Sequence, residues 1–296
     1  MLCFLAQIEG DLYMQEIILV KRILLFFLAT MLNSYSCEYP HFVSKDIASV
    51  LFFDLDARTT HDYMTNNVIG LKVGTVLPWW NRVYSTNNIT THDINLVKKF
   101  FTGLSFKWWV DEDQVNLPKL LLQHGFVHEN SLHLMKLNLE QVNNIPISKH
   151  NIIRVSSAEQ LNSWIKIIAQ IDGCSYADVK KLIDYLSIRS KTGSLRLYLA
   201  LRDGVPVGTS AALLHDDIVT IHMVGVLPEF RKRGHGAALT MVPLAECAEQ
   251  DVKYAYLCAS ATPFAEPLYK KLGFYNYRTF HLYIYKNPEV NRCLTN

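Results

Sequence analysis

The stretch VGVLPEFRKRGHGAALT, residues 224–240, sets three basic side chains beside two glycines. Arg231, Lys232 and Arg233 bring positive charge, and Gly234, His235 and Gly236 follow at the head of a helical run. A strand that feeds a glycine-bearing loop at a helix amino terminus can hold phosphate, because unpaired N–H groups point outward there and the helix dipole is positive. Glycine leaves the main chain uncovered, so an anion can approach it. Three consecutive basic residues cannot all face one ligand, and a solvated loop ahead of a glycine-rich helix start is the competing account. A second chemical group follows in LYKKLGF (268–274), where Tyr269 is either a phenol placed to donate a proton or a half-buried aromatic on a helix.

These groups need a frame to hold them. Residues 151–157 (NIIRVSS) open with an apolar strand pattern, and Ser157 can cap a helix through AEQLNSWIKIIAQI, where Leu161, Trp164, Ile165 and Ile168 share a face. LRLYLAL (195–201), the turn Asp203-Gly204 and VPVGTSAALL (205–214) predict a hairpin, and IVTIHMVGV (218–226) a long strand. A helix from about 235, a strand over 253–260, a short helix ending at Lys271 and a last strand over 280–285 complete the order. Pro243 lacks the N–H that would bond the carbonyl of Leu239 and should kink its helix. The fold class is mixed α/β (α+β): a largely antiparallel sheet flanked by helices.

V-x-V-L-P-E-F-R-K-R-G-H-G followed by L-Y-K-K-L-G-F resembles the GCN5-related N-acetyltransferase (GNAT) superfamily over about residues 150–286. The resemblance matches an R/Q-x-x-G-x-G/A loop at Arg231, Gly234 and Gly236. It implies acetyl-CoA as acetyl donor, its pyrophosphate held by residues 231–236, with Val224, Gly225 and Val226 offering main-chain groups to the pantetheine arm. It also implies that Tyr269 lies near the thioester sulfur, where it would protonate the leaving thiolate, and that main-chain N–H groups can stabilise a developing oxyanion. Ser260 either contacts the cofactor or merely flanks a helix. His222 and Glu229 are the candidates by type for the base that deprotonates the amine, with relayed water as the alternative. Cys258 has apolar strand neighbours and no activating base, against a covalent relay. No metal is implied.

The far end of the chain repeats an earlier frame. Gly125-Phe126 answers to Gly273-Phe274 and His133-Leu134 to His281-Leu282, both 148 positions apart (125 to 273, 133 to 281). A duplicated fold explains this. SVLFFDLD (49–56), NVIGLKVGTV (67–76) and FKWWV (106–110) predict strands, and HDINLVKKFFTGL (92–104) a helix. The same offset carries Arg231, Gly234 and Gly236 back to Val83, Thr86 and Asn88, and Tyr269 back to Leu121, so the earlier copy lacks the phosphate loop. LPWWNRV (77–83) and SFKWWV (105–110) resemble the amino-terminal halves of tandem acetyltransferases whose first domain is degenerate; their Trp pairs either floor an acceptor pocket or fill core. The domains expected are an apolar helix or targeting segment over 1–40, a degenerate GNAT-like domain over 41–140, a linker over 141–150, the acetyltransferase domain over 151–290 and a tail over 291–296.

Composition narrows the partners. The 296 residues are half apolar with a formal net charge of +2, and no Lys/Arg block offers an electrostatic footprint for nucleic acid. The six cysteines are scattered without a CxxC pair, as free thiols in a reducing compartment would be. The apolar run after Arg22 is shorter than a bilayer span, though residues 14–36 also imitate a secretory signal. The Asn88-Ile89-Thr90 sequon is read as coincidental in a cytoplasmic protein. The leading expectation is a cytoplasmic acetyl-CoA-dependent N-acetyltransferase acting on a small-molecule or peptide amine by direct attack in a ternary complex. The alternatives are a non-catalytic acyl-CoA-binding regulatory module and an exported or membrane-associated protein.

Overall fold

Ser157 and Gln160 start the first helix of the carboxy-terminal half by exchanging side-chain bonds with each other's main-chain N–H groups. That helix (Ala158–Asp172) ends where Gly173 turns to φ +64°. In the computed structural model, described over residues 62–75, 77–141, 150–189, 194–248, 250–260 and 264–287, it is the third of six helices. The segment expected over 1–40, the strand over 49–56, the linker residues 142–149 and the tail from 291 lie outside the described residues.

The described helices are α1 (Thr91–Phe100), α2 (Leu117–Gln123), α3 (Ala158–Asp172), α4 (Tyr176–Arg189), α5 (His235–Ala248) and α6 (Ala265–Lys271). The strands are β1 (Asp62–Met64), β2 (Val68–Leu71), β3 (Arg82–Ser85), β4 (Phe106–Asp111), β5 (Val127–Asn138), β6 (Asn151–Arg154), β7 (Leu195–Arg202), β8 (Val205–His215), β9 (Ile218–Val226), β10 (Tyr254–Ser260) and β11 (Tyr275–Tyr285). α4 is the element that the sequence pattern did not set apart. Its Val179, Leu182, Ile183 and Leu186, at helical spacing, are buried beside Trp164, Ile165 and Ile168 of α3. β2 is shorter than its apolar run: it ends at Leu71, and Gly74 beyond it turns to φ +79°.

β6 to β9 form an antiparallel meander, with Asp203 and Gly204 both at positive φ in the two-residue turn. β9 then crosses through α5 to a parallel partner, β10, as β3 crosses through α1 to β4. Pro243 sits inside α5 without ending it. The Leu239 carbonyl, which loses its helical donor at Pro243, accepts the hydroxyl of Ser210 at 2.7 Å instead.

All eleven strands among the described residues join one sheet, ordered β1-β2-β3-β4-β11-β5-β10-β9-β8-β7-β6. The two sequence halves therefore do not form separate sheets: β5 lies between β11 and β10, and β11 lies between β4 and β5. β5 and β11 pair antiparallel about Leu132 and Phe280, which are themselves 148 positions apart. On either side of that pair the repeated histidines bond across the strands, His281 Nδ1 with Ser131 Oγ at 2.8 Å and His133 Nδ1 with Thr279 Oγ1 at 3.4 Å. α2 and α6 keep the same offset at both ends (117 to 265, 123 to 271), as do the first residues of β4 and β10 (106 to 254).

Phe280 is fully buried against the edges of Tyr84 and Trp109. Phe280→Ala should cost about 3–5 kcal/mol in denaturant unfolding. Because β11 is hydrogen-bonded to β4 on one side and β5 on the other, exchange protection of amides in β4 and in β5 should fall together; loss confined to one of them would contradict a shared sheet.

Candidate active site

β9 pairs with β10 only from Ile218–Tyr254 to Ile221–Leu257, although β9 continues to Val226 and β10 to Ser260. The parting has a local cause. A bulge between Thr209 and Ala211 shifts the β8–β9 register, and Met223 takes φ +51° at that point. The Thr209 hydroxyl donates to the Met223 carbonyl at 3.1 Å and fixes the distortion. Gly225 is then pressed under α3: a Cβ there would stand 2.7 Å from Ile171 Cδ1. Past the bulge, Val224 to Val226 have no partner strand on the β10 side among the described residues.

The loop follows at once. Arg231 turns back, its Nε–H donating to the Val226 carbonyl at 2.9 Å, which ties the loop to the end of the parted strand. Lys232 adopts φ +59° and stands over the Phe264 ring, while Arg233 lies over Phe230. Gly234, at φ +89°, leads into α5, and a Cβ on it would stand 2.7 Å from His150 Nε2. Gly236 faces Leu268, with 3.4 Å between its ideal Cβ position and that side chain. No acidic residue occupies the first turn of α5. His235 is buried with its ring 4.4 Å from that of His150, and neither of its ring nitrogens has a partner among the described residues. Burial, and then the charges of His150, Arg202 and Arg233, push its pKa below the ordinary imidazole value.

Together these residues wall a cavity of about 560 Å³. Val224, Gly225, Val226, Arg231 and Lys232 line it on one side, and Gly234, His235 and Gly236 at the head of α5. Phe264, Leu268 and Tyr269 close it from α6. Two expected members are not in the lining. Arg233 is carried over Phe230, and Ser260 remains in the sheet opposite Leu132.

Tyr269 also borders a second cavity, of about 340 Å³, beyond the parted strands; Val224 is the other residue common to both. Burial raises the Tyr269 phenol to about 12, and its hydroxyl has no hydrogen-bond partner among the described residues. His222 lines the second cavity and hydrogen-bonds Thr220 Oγ1 at 2.8 Å; burial, reinforced by Arg82, pushes it down to about 3. Cys258 lines it as well, and burial pushes its thiol up to about 12. Glu229 is exposed and lines neither cavity. Each Trp pair divides: Trp79 and Trp109 line the second cavity, while Trp80 and Trp108 are buried in core. Arg82, between them, is the member that sequence reasoning missed. Its one signal was a basic residue in an otherwise apolar run.

The position of the phosphate loop in the earlier half corrects one inference from the offset. Val83 lies within β3, so it does not stand where Arg231 stands. The 148-residue spacing holds from the ends of α1 and α5 onward, but residues 86–90 join β3 to α1 where the longer stretch 227–234 joins β9 to α5. The start of α1 is closed by its own side chains: Thr90 Oγ1 accepts from Asp93 N–H, and the Asp93 carboxylate accepts from Thr90 N–H. A carboxylate in that turn occupies the place an anion would take.

Residues 163–274 match the family described as Acetyltransferase (GNAT) family. No curated protein matches the chain in sequence. Among solved structures, a GCN5-related N-acetyltransferase from Kribbella flavida is 18% identical, with 78% of this chain and 91% of that one covered at a TM-score of 0.60. A GCN5-related N-acetyltransferase from Sphaerobacter thermophilus is 15% identical, covering 74% and 76% at 0.55. A tandem GNAT protein from the clavulanic acid biosynthesis pathway is 13% identical, covering 75% and 79% at 0.52. At such identities the likeness speaks for the fold, and the family match covers the strand, loop and helix that wall the larger cavity. Residues 163–274 are thus similar to the GNAT acetyltransferase family, a family of acyltransferases.

Proposed function

We propose that the protein is an acetyl-CoA-dependent N-acetyltransferase in which a bound amine attacks the donor directly. The observation that carries this reading is the parting of β9 from β10, which leaves two cavities meeting at Val224 and Tyr269. One cavity suits the donor and the other the acceptor, so both substrates can be held at once. Acetyl-CoA would supply a thioester whose carbonyl carbon accepts the amine and whose thiolate leaves.

The residues of the larger cavity fit such a donor. The amides at the head of α5 carry no competing carboxylate, and Arg231, Lys232 and the helix dipole favour a pyrophosphate there. Val224 to Val226 supply main-chain groups for an extended polar arm, in the manner of a strand added to a sheet edge. Arg231 acts partly by holding the loop to that strand through Val226. Gly234 is needed for its backbone angle and for the space His150 fills, whereas Gly236 is needed for the open face toward Leu268.

Tyr269 holds its proton at neutral pH, as a donor to a leaving thiolate must. Cys258 keeps its proton too and is a poor nucleophile, which favours direct attack over a covalent relay. His222 at about 3 cannot retain a proton taken from an amine, so the amine must arrive neutral or lose its proton to water. We read residues 62–138 as a second copy of the same frame that lost its phosphate loop, and place the enzyme in the cytoplasm with its donor. Among the described residues no helix is long and apolar enough to cross a membrane.

The test is thiol release from acetyl-CoA over a panel of amines. Tyr269→Phe should lower kcat by about a hundredfold or more while acetyl-CoA affinity is unchanged. Binding without turnover on any amine would instead support a regulatory module that senses acyl-CoA. Between pH 6 and 9, kcat/KM should follow the ionisation of the amine alone, with no break near the imidazole range; such a break would contradict the absence of a histidine base. Stability follows a separate rule. With a folded value of about 3 against the ordinary 6.5, the neutral-His222 contribution is present in full above 6.5 and is lost as pH falls toward 3. By pH 5 the loss should reach on the order of 2 kcal/mol, and His222→Gln should flatten that part of the denaturation profile.

A further inference from the structure

The walls of the larger cavity give it a direction. Tyr269, which it shares with the smaller cavity, is buried, whereas Lys232 and Phe264 are exposed. Between those ends the loop and α6 run side by side. Gly236 faces Leu268 and Lys232 stands over Phe264, a step of four positions on each segment (236 to 232, 268 to 264). The head of α5 therefore lies between the buried junction and an outer rim. The three neighbouring cations of the loop go three ways: Arg231 back to the Val226 carbonyl, Arg233 over Phe230 and Lys232 to Phe264. Lys232 adopts φ +59°, a conformation uncommon outside glycine. Its ammonium lies 5.9 Å from the centre of the Phe264 ring and meets no carboxylate among the described residues. The Phe264 residue is 72% exposed. An apolar ring and a cation thus stand together at the mouth of a cavity whose next feature inward is a helix end that favours anions.

We propose that Lys232 and Phe264 clamp the 3′-phosphoadenosine end of the donor, Phe264 stacking on the base and Lys232 pairing with the phosphate monoester. The enzyme then draws its acyl group from free coenzyme A and not from a phosphopantetheine thioester on a carrier protein. The inference rests on the acetyltransferase reading above and narrows its donor. A ligand with its thioester at Tyr269 and its pyrophosphate at the head of α5 presents at the rim whatever follows the pyrophosphate. In coenzyme A that is adenosine with a phosphate on its ribose, so base and anion are neighbours in the ligand as ring and ammonium are in the protein. Stacking covers the apolar face that Phe264 leaves in water. The monoester gives the Lys232 ammonium a charge-assisted partner. A phosphopantetheine arm carries neither the base nor the monoester. The turn at Lys232 has a use in this arrangement, because it carries one cation of the loop outward, past the pyrophosphate, to the rim.

The experiment is calorimetry on the full-length protein with three donors: acetyl-CoA, its 3′-dephospho form and acetyl-phosphopantetheine. None of them requires the acceptor to be known. Native protein should bind the dephospho form about tenfold more weakly than acetyl-CoA, a gap that narrows as salt is added. Acetyl-phosphopantetheine should lose about a further tenfold with the base. Lys232→Met should bring acetyl-CoA down to the level of the dephospho form and leave that form unchanged. Phe264→Ala should weaken both nucleotide donors alike and leave acetyl-phosphopantetheine unchanged. Equal affinity of native protein for acetyl-CoA and its dephospho form would overturn the clamp while leaving the acetyltransferase reading standing. So would variants that weaken all three donors equally, since that pattern reports a change in the shape of the loop. No binding of acetyl-CoA by native protein would overturn both. The comparison of donors on native protein decides the matter even where a variant fails to fold.

Discussion

β9 and β10 are hydrogen-bonded only as far as Ile221 and Leu257, and what lies beyond depends on that limit. A parallel pair that continued would bury the main-chain groups of Val224 to Val226 in the ladder and close the passage between the two cavities. The bulge at Met223 and the packing of Gly225 against Ile171 hold the strands apart, so the opening is built by packing. α5 enters at the same place with its amino terminus uncapped by any acidic residue. One geometric event therefore provides a sheet edge, a positive helix end and a gap where the two cavities meet.

The earlier half contributes without repeating this. Its β3 and β4 also run parallel, but the connection to α1 is shorter and Thr90 with Asp93 satisfies the first amides of that helix. What it gives is structural and chemical surface. β5 fills the sheet between β10 and β11, and Trp79, Arg82, Lys107 and Trp109 complete the wall of the smaller cavity. Because β5 pairs with β10 and β11 with β4, the wall of the smaller cavity and the sheet that carries the larger one are continuous.

Much of this was legible in the residues. The capping pair Ser157 and Gln160, the Asp203-Gly204 turn and the loop at Gly234 and Gly236 are local signals, set by neighbours within a few positions, and each appears where its type demands. The 148-residue spacing marked both histidines but not their partners: His133 and His281 meet Thr279 and Ser131 across strands that pair about Leu132 and Phe280. The placing of β11 beside β4 and of β5 beside β10 was not legible, since strand order depends on pairings between residues far apart in sequence. The place of Arg82 was hidden for the same reason: Trp109 and His222, which it stands beside, are brought near only by the fold. Ser260 and Arg233 lie outside the lining of the larger cavity, because a motif records position along the chain and carries no information about which way a side chain turns. The offset failed at Val83 because a length difference in one connection shifts everything before it.

Titration calorimetry of the folded protein with acetyl-CoA tests the account at its centre. Native protein should bind one equivalent, and Gly236→Glu, which places a carboxylate against Leu268 at the head of α5, should abolish the heat while leaving the unfolding midpoint close to native. No heat from native protein, or the same heat from both, would contradict the claim that the opening between β9 and β10 and the amides of α5 form the donor site.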